Sequence, residues 1–361
     1  MASRGVAPRV APVLVSAGLL AAGLTTLTAC GSSGSSANGG GGGNAGSVTD
    51  SAAGLQEQYE SVVSSVLPSV VQIFTSDATG SGVVYDSKGD IITNAHVVGK
   101  ESTVEVVPAT GGETVHAKVI GTFPAGDLAV IRVENDASKL KVAAFGNSDD
   151  VKAGQIVLAM GNPLGLTGSV SQGIVSALGR TVNASSTANG DATTITDAIQ
   201  TTAAINGGNS GGALVSLSGE VIGIPTAAAR DPEAGAAPGI GFAIPSDTAT
   251  NIANQLITSG KVTNSGRASL NISATTVATQ DGQEAGVGII SATSGGAAAD
   301  AGLQAGDVIT GLGGQQTPNV ATLNALLAQL KPGDKVEVKY LRPSGGNGTK
   351  SVAVTLGSLT S

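Results

Sequence analysis

The sequence predicts an all-β first unit, a barrel or a sandwich, followed by a smaller α+β module. Three observations carry that expectation. Over residues 70–260, short Val- and Ile-rich runs recur between clusters of Gly, Asn, Asp and Ser, the spacing of strands joined by turns. Over residues 267–356, such runs alternate with two stretches of helical period. Aromatic residues make up only 2 % of the 361 residues, so both cores must be aliphatic.

The N-terminus has the layout of an export signal. Arg4 and Arg9 give a positive start, residues 10–24 form an apolar run, and Leu27-Thr28-Ala29 is a small-residue cleavage site before Cys30. Cys30 is the only cysteine, so an internal disulfide is excluded. Its placement resembles a bacterial lipobox, with residues 1–29 removed as a signal peptide and the thiol of Cys30 acylated. An uncleaved transmembrane anchor is the other reading, because the apolar run is nearly long enough to span. Both leave the rest of the chain outside the membrane. Residues 31–47 are almost wholly Gly, Ser, Asn and Ala and bury no apolar area, so residues 30–58 are read as a flexible tether.

Residues 59–70 mix apolar positions with Pro68, a short helix or turn leading to a first strand at 70–75. Further strands are expected at 82–85, 103–107, 128–133, 155–160 and 220–224. One later helix stands out, residues 246–259, with Ser246 as N-cap and Gly260 just past its end. The second module reads as strands at 288–292, 307–312, 335–341 and 350–356, with a short helix near 297–301. A longer helix at 319–330 places Leu323, Leu326, Leu327 and Leu330 on one face, mostly as core. The net charge of -8 and the lack of a basic stripe with interleaved aromatics argue against a nucleic-acid partner.

With two histidines in the chain, the search for a general base is short. His116 alternates with apolar residues and reads as an outward strand position. His96 follows the apolar pair Ile91-Ile92 and precedes a turn, where a side chain can face a cleft. Ser210 is flanked by Gly207, Gly208, Gly211 and Gly212. Acyl transfer needs a serine that a carbonyl can approach, with backbone N–H groups free to meet an oxyanion, and glycines permit both. Taken alone, the same text fits a Gly-rich turn. Asp127 opens the apolar run Leu128-Ala129-Val130-Ile131, where a buried acid needs a partner; taken alone, it fits a turn cap. Asp86, Asp90, Asp149 and Asp150 lie in polar text and read as solvated. The chain order His, Asp, Ser is that of the chymotrypsin-type triad.

These residues resemble the HtrA (DegP-like) serine proteases. The motifs are Thr93-Asn94-Ala95-His96-Val97-Val98, Asp127-Leu128-Ala129-Val130, Gly161-Asn162-Pro163-Leu164-Gly165, Gly208-Asn209-Ser210-Gly211-Gly212 and Gly241-Phe242-Ala243-Ile244-Pro245. Val62-Val63 through Pro68-Ser69-Val70-Val71 adds to them. The resemblance implies an all-β double six-stranded β-barrel of the trypsin type over residues 59–260, then a small α+β PDZ domain over 266–358. It assigns His96 as general base, Asp127 as its orienter and Ser210 as nucleophile. The oxyanion hole falls to the backbone N–H groups at Gly208 and Ser210, with Asn209 between them. Ala204, Ile205 and Asn206 would line the specificity pocket; residues 201–205 carry no charge, so Lys and Arg are not favoured there.

The family implies unfolded or damaged exported proteins as substrates, cleavage after small aliphatic residues, a homotrimer and no cofactor. Two histidines and one Cys read as lipidated leave little for a transition-metal site. In the PDZ domain, Ala301-Gly302-Leu303 and Gly306-Asp307-Val308-Ile309 carry the likeness. Ser269, Leu270, Asn271 and Ile272 would receive the C-terminal carboxylate of a peptide. The chain departs from the family at Asn271, where Gly is usual. It also departs at Thr202, where Asp is usual, and at Gly207 and Ala213, where Pro is usual. Gly207 should loosen the oxyanion loop, giving an inactive resting form that substrate or a PDZ ligand orders. The alternative function is a catalytically silent chaperone or sensor that binds C-terminal peptides.

Overall fold

Alternating burial along the strands sets the architecture. In the computed structural model, Val71 and Ile73 point into one apolar cluster with Ile91, Val104, Ala129 and Ile131. Their neighbours Val70, Ile92, Leu128 and Val130 join a second cluster with Leu158, Met160, Val215 and Ile244. Side chains of a strand alternate faces, so a strand buried on both faces reads as a continuous apolar run. The structure describes residues 45–134, 137–162, 168–184, 193–206, 208–231, 235–279, 281–343 and 348–361. Residues 1–29 (read as a signal peptide), Cys30, residues 31–44 of the expected tether, Pro163-Leu164-Gly165 and Gly207 lie outside the described residues.

Two barrels result. The first has β1 (Val70–Phe74), β2 (Thr79–Val84), β3 (Asp90–Thr93), β4 (Thr103–Pro108), β5 (Val115–Phe123) and β6 (Leu128–Val133), closed in the order β1-β2-β3-β6-β5-β4. The second has β7 (Ile156–Gly161), β8 (Ser169–Ala184), β9 (Thr193–Thr201), β10 (Ala213–Ser216), β11 (Val221–Asp231) and β12 (Gly235–Pro245), closed in the order β10-β11-β12-β9-β8-β7. Closure leaves no free sheet edge. Val157, Ala159, Val175, Ile199 and Leu214 fill the second interior. Phe123 is the one aromatic side chain among the largest fully buried ones, in line with the composition.

Among the described residues, three α-helices accompany the barrels. Helix α1 (Ala45–Val66) begins inside the segment read as tether. Its Gln56 and Glu60 are hydrogen-bonded one turn apart at 2.8 Å, and Val62 and Val66 enter the cluster shared by the barrels. Apolar anchoring at its C-terminal end thus orders a stretch that composition alone left loose. Helix α2 (Ala95–Val98) is a single turn after β3. Helix α3 (Ser246–Ser259) buries Ala249, Ile252, Ala253 and Leu256 at helical spacing. It ends at Gly260 with φ 69°, whose N–H reaches Leu256 O at 2.8 Å. Ser246 is not the N-cap: Pro245 holds that position, and the Ser246 hydroxyl donates to Gly146 O at 2.7 Å.

The C-terminal module has the antiparallel order β14-β15-β16-β18-β19, from β14 (Ile272–Ala278), β15 (Glu284–Ala292), β16 (Val308–Leu312), β18 (Lys335–Leu341) and β19 (Thr349–Thr355). A short β17 (Gln315–Gln316) pairs with β16, and β13 (Ala268–Ser269) pairs with β20 (Gly357–Ser358). Helix α4 (Ala297–Asp300) is one turn; α5 (Val320–Leu327) is capped by Asn319, whose side-chain oxygen accepts from Thr322 N at 2.7 Å. Leu323, Leu326 and Leu327 are buried and Leu330 packs beside them. The sequence reading missed β13, β14, β17 and β20. Residues 272–278 bury only part of alternate positions, so they give little apolar signal.

Asp90 corrects an expectation. It is fully buried, opposite Arg132 in register, and accepts two hydrogen bonds of 2.7 Å from that guanidinium. The polar text around it hid a cross-strand ion pair. His116 is exposed on β5, as expected.

Candidate active site

His96 is presented by the α2 turn that follows β3. Asn94, between them, donates its side-chain N–H to Asp127 O at 2.9 Å, which joins the turn to the start of β6. Asp127 stands at φ 53° after the 3-10 turn Pro124–Gly126, a left-handed conformation that Asp tolerates better than most residues. That backbone aims the carboxylate at His96. Asp127 Oδ2 lies 2.8 Å and Oδ1 3.0 Å from His96 Nδ1, and the His96 backbone N–H donates to Oδ1 at 3.0 Å. Thr226, on β11, donates its hydroxyl to Oδ2. The carboxylate side chain is 7 % exposed and the imidazole 30 %.

A carboxylate accepts only, so the neutral ring carries its proton on Nδ1 and leaves Nε2 as the free base. Burial disfavours the imidazolium, but the hydrogen bond and the charge of Asp127 outweigh it. His96 therefore holds a proton above the usual imidazole range.

Ser210 is buried in the loop between β9 and β10. Its O accepts from Ser81 N at 2.9 Å, and the Ser81 hydroxyl donates to Gly208 O at 2.7 Å. Ser81, on β2, thereby ties the serine loop to the first barrel. A Cβ at Gly211, where φ is 81°, would lie 2.3 Å from Ser81 O, and one at Gly212 would lie 2.2 Å from Met160 O. The glycine pair is a requirement of close backbone approach.

Among the described residues no hydrogen bond joins Ser210 Oγ to His96. The hydroxyl leans toward Asn206 O at 3.4 Å, a marginal contact. The Gly208 N–H donates to Asn206 Oδ1 at 3.2 Å, and the Asn209 N–H donates to Asn206 O at 3.2 Å. Two of the expected oxyanion-hole residues thus spend their N–H groups inside the loop. Ala204 and Asn206 are exposed, and Ile205 is half-buried beside Gly241. Asn206 N and Ala204 O are both bonded to the Asn209 side chain, at 2.9 and 2.7 Å.

At the loop expected to bind a peptide, Asn271 adopts φ 55°, a left-handed conformation that favours Gly. Its side chain also donates to Ser358 O at 2.9 Å, a bond glycine lacks. Ser269 and Leu270 are buried, and Ile272 opens β14.

This geometry is matched by the comparisons. A trypsin-like peptidase domain model matches residues 80–224 and a PDZ domain model matches residues 266–356. The serine protease PepD of Mycobacterium tuberculosis is 39 % identical over 316 residues, covering 82 % of this chain and 66 % of that protein. A solved serine endoprotease from Yersinia pestis is 32 % identical with a TM-score of 0.54, covering 83 % of this chain and 98 % of that one.

This chain belongs to the HtrA family of serine proteases. The HtrA-type protease AlgW, solved with a tripeptide, is likewise 32 % identical with a TM-score of 0.54, over 83 % of this chain and 96 % of that one. The periplasmic serine endoprotease DegP of Salmonella typhimurium is 40 % identical over 274 residues, 73 % of this chain and 54 % of that protein. The chain spans between half and two thirds of the length of these two curated relatives. Sequence reasoning missed Thr226, Asn94 and Ser81. Asn94 was inside a quoted motif; Thr226, a polar residue ending the apolar run from Val221, gave only that local signal.

Proposed function

We propose that this chain is a serine endopeptidase working by an acyl-enzyme mechanism. The observation that carries the reading is the His96–Asp127 pair, completed by Thr226 and set beside the Ser210 loop. In the reaction, Ser210 Oγ attacks the scissile carbonyl as His96 Nε2 takes its proton. Asp127 stabilises the imidazolium, which then protonates the leaving amine. The N–H groups of Gly208 and Ser210 receive the oxyanion once Gly208 is released from Asn206.

Uncharged residues at Ala204 and Ile205 favour a small aliphatic residue before the scissile bond. Substrates are unfolded or damaged exported polypeptides, the class that the family resemblance implies; the name of the Salmonella relative, a periplasmic endoprotease, supports the compartment. The free edge of β14 beside α5 suits addition of a peptide C-terminus as a further strand, with the carboxylate at residues 269–272. The protease domain takes residues 59–260 and the PDZ domain 266–358, acting as a homotrimer outside the cytoplasm and held to the membrane through acylated Cys30. Digestion of an unfolded casein-like protein with mapping of the cut sites tests the specificity; cuts mainly after Lys or Arg would refute it. Mass spectrometry of the mature N-terminus tests the anchor: an acylated Cys30 supports it and an intact Met1 refutes it.

A second reading, a silent chaperone or sensor, draws on the engaged Gly208 N–H and the unbonded Ser210–His96 pair. We take these as a resting state that substrate or a PDZ ligand orders. Equal turnover of a small peptide ester with and without an added C-terminal peptide would count against that switch.

A further inference from the structure

Arg267 lies at the very start of the PDZ domain, one residue before β13. Its guanidinium reaches back to the first barrel, where Nη1 donates to Ala125 O at 2.6 Å. Ala125 is the middle residue of the 3-10 turn Pro124–Gly126 that delivers Asp127. The other anchors of this turn are the Asp127 N–H and the Thr193 hydroxyl of β9, both donating to Pro124 O at 3.1 Å. The second barrel thus holds one carbonyl of the turn, and the start of the PDZ domain holds the next.

The arginine is unusual in this chain. Arg132 and Arg342 each pair with a buried carboxylate. Arg267 has no carboxylate partner among the described residues, and burial pushes its pKa down to about 10. A half-buried cation held by a single neutral acceptor adds little to stability. What it does supply is a short, charge-assisted and directional bond.

The backbone of Arg267 is bound to the C-terminal residues of the chain. Its O accepts from Leu359 N at 2.8 Å, and Leu359 packs against the cluster shared by the barrels. The next two residues form β13 and pair with β20, with Ala268 opposite Ser358 and Ser269 opposite Gly357. Asn271 of the carboxylate loop also holds Ser358 O, at 2.9 Å. The peptide-carboxylate loop and Arg267 are therefore strapped to the same segment, residues 357–359.

We propose that Arg267 is a positioning residue for Asp127, fixing the Pro124–Gly126 turn so that the carboxylate stays in register with His96. Through the strap, that register is tied to the loop that would hold a bound peptide. The proposal deepens the endopeptidase reading and rests on it.

The test compares Arg267→Met and Arg267→Lys in the full chain, with kcat, KM and the pH profile measured on a small peptide ester. A displaced catalytic group costs up to about 10²-fold in rate. Arg267→Met should lose between about 10- and 10²-fold in kcat with KM nearly unchanged, and its acid limb should move down in pH as Asp127 loosens from His96. Arg267→Lys should recover most of the rate. Wild-type kcat and acid limb in a folded Arg267→Met overturn the proposal. So does an equal loss in both variants with no movement of the acid limb, the mark of a merely structural role. If Arg267→Met fails to fold, Arg267→Gln takes its place with the same two outcomes. Ser210→Ala run in parallel separates the two levels. A dead Ser210→Ala beside an unaffected Arg267→Met sinks the positioning role alone; a Ser210→Ala as active as wild type sinks the endopeptidase reading.

Discussion

The hydroxyl of Thr226, on the second barrel, donates to the Asp127 carboxylate oxygen that also faces His96 Nδ1. The acid of the first barrel is thereby held from both sides of the cleft. Thr226→Val keeps the shape and removes the donor. Hydrogen bonds to charged groups contribute about 1.5–3 kcal/mol, so kcat/KM for a small ester should fall roughly 10- to 10²-fold. A change below twofold would mean that Asp127 is placed without Thr226.

The raised pKa of His96 gives two pH dependences of opposite sign. The base works when neutral, so kcat/KM should rise through an apparent pKa above the ordinary imidazole value of 6.5. For folding, a raised native pKa stabilises the protein fully below 6.5, and that contribution is lost as pH rises through the native value. Asp127→Asn removes the cause of the raised value, so the acid limb should move down in pH. An unmoved limb would assign it to another group.

Asn206 Oδ1 holds the Gly208 N–H that an oxyanion would need. Asn206→Ala removes that competitor. A neutral hydrogen bond contributes about 1 kcal/mol net, so fluorophosphonate labelling of the resting protein should speed up by roughly fivefold. Slower labelling would show that Asn206 builds the hole instead of occupying it.

The double barrel was legible because its strands bury both faces, which leaves runs such as Leu128 to Val133 as plain apolar text. The candidate site was readable through the order of His96, Asp127 and Ser210, since neither Asp127 nor the Gly-rich loop is distinctive alone; the structure joins His96 to Asp127 and leaves Ser210 unbonded to His96. Less legible were features that depend on distant partners. Asp90 looks solvated until Arg132 is seen across the sheet, and Thr226 has no local mark of its contact with Asp127. Helix α1 starts earlier than composition suggests, and its burial comes from Val62 and Val66 meeting the barrels. The strand β14 is hidden because its apolar positions are only partly covered.

In the PDZ domain, Asp307 is buried and accepts two bonds, of 2.7 and 2.6 Å, from Arg342. Burial opposes its ionisation, but the Arg342 hydrogen bonds, the Gln304 N–H and nearby positive charge outweigh that, holding the carboxyl below its usual range. A depressed native pKa gives stability that is present above the ordinary value of 3.8 and lost as pH falls through the native one. Thermal melts of wild type and Asp307→Asn should differ at neutral pH and converge in acid. A constant difference down through that range would refute this assignment.

The most direct measurement of the central claim is active-site labelling by a fluorophosphonate, with ester turnover measured beside it. Wild type should label at one serine, and Ser210→Ala should not label. Asp127→Asn should keep its fold while turning over the ester about 10⁴-fold more slowly. A wild-type chain that never labels, even with an unfolded casein-like substrate and a C-terminal peptide present, would contradict the endopeptidase reading. So would a Ser210→Ala chain that labels as wild type does.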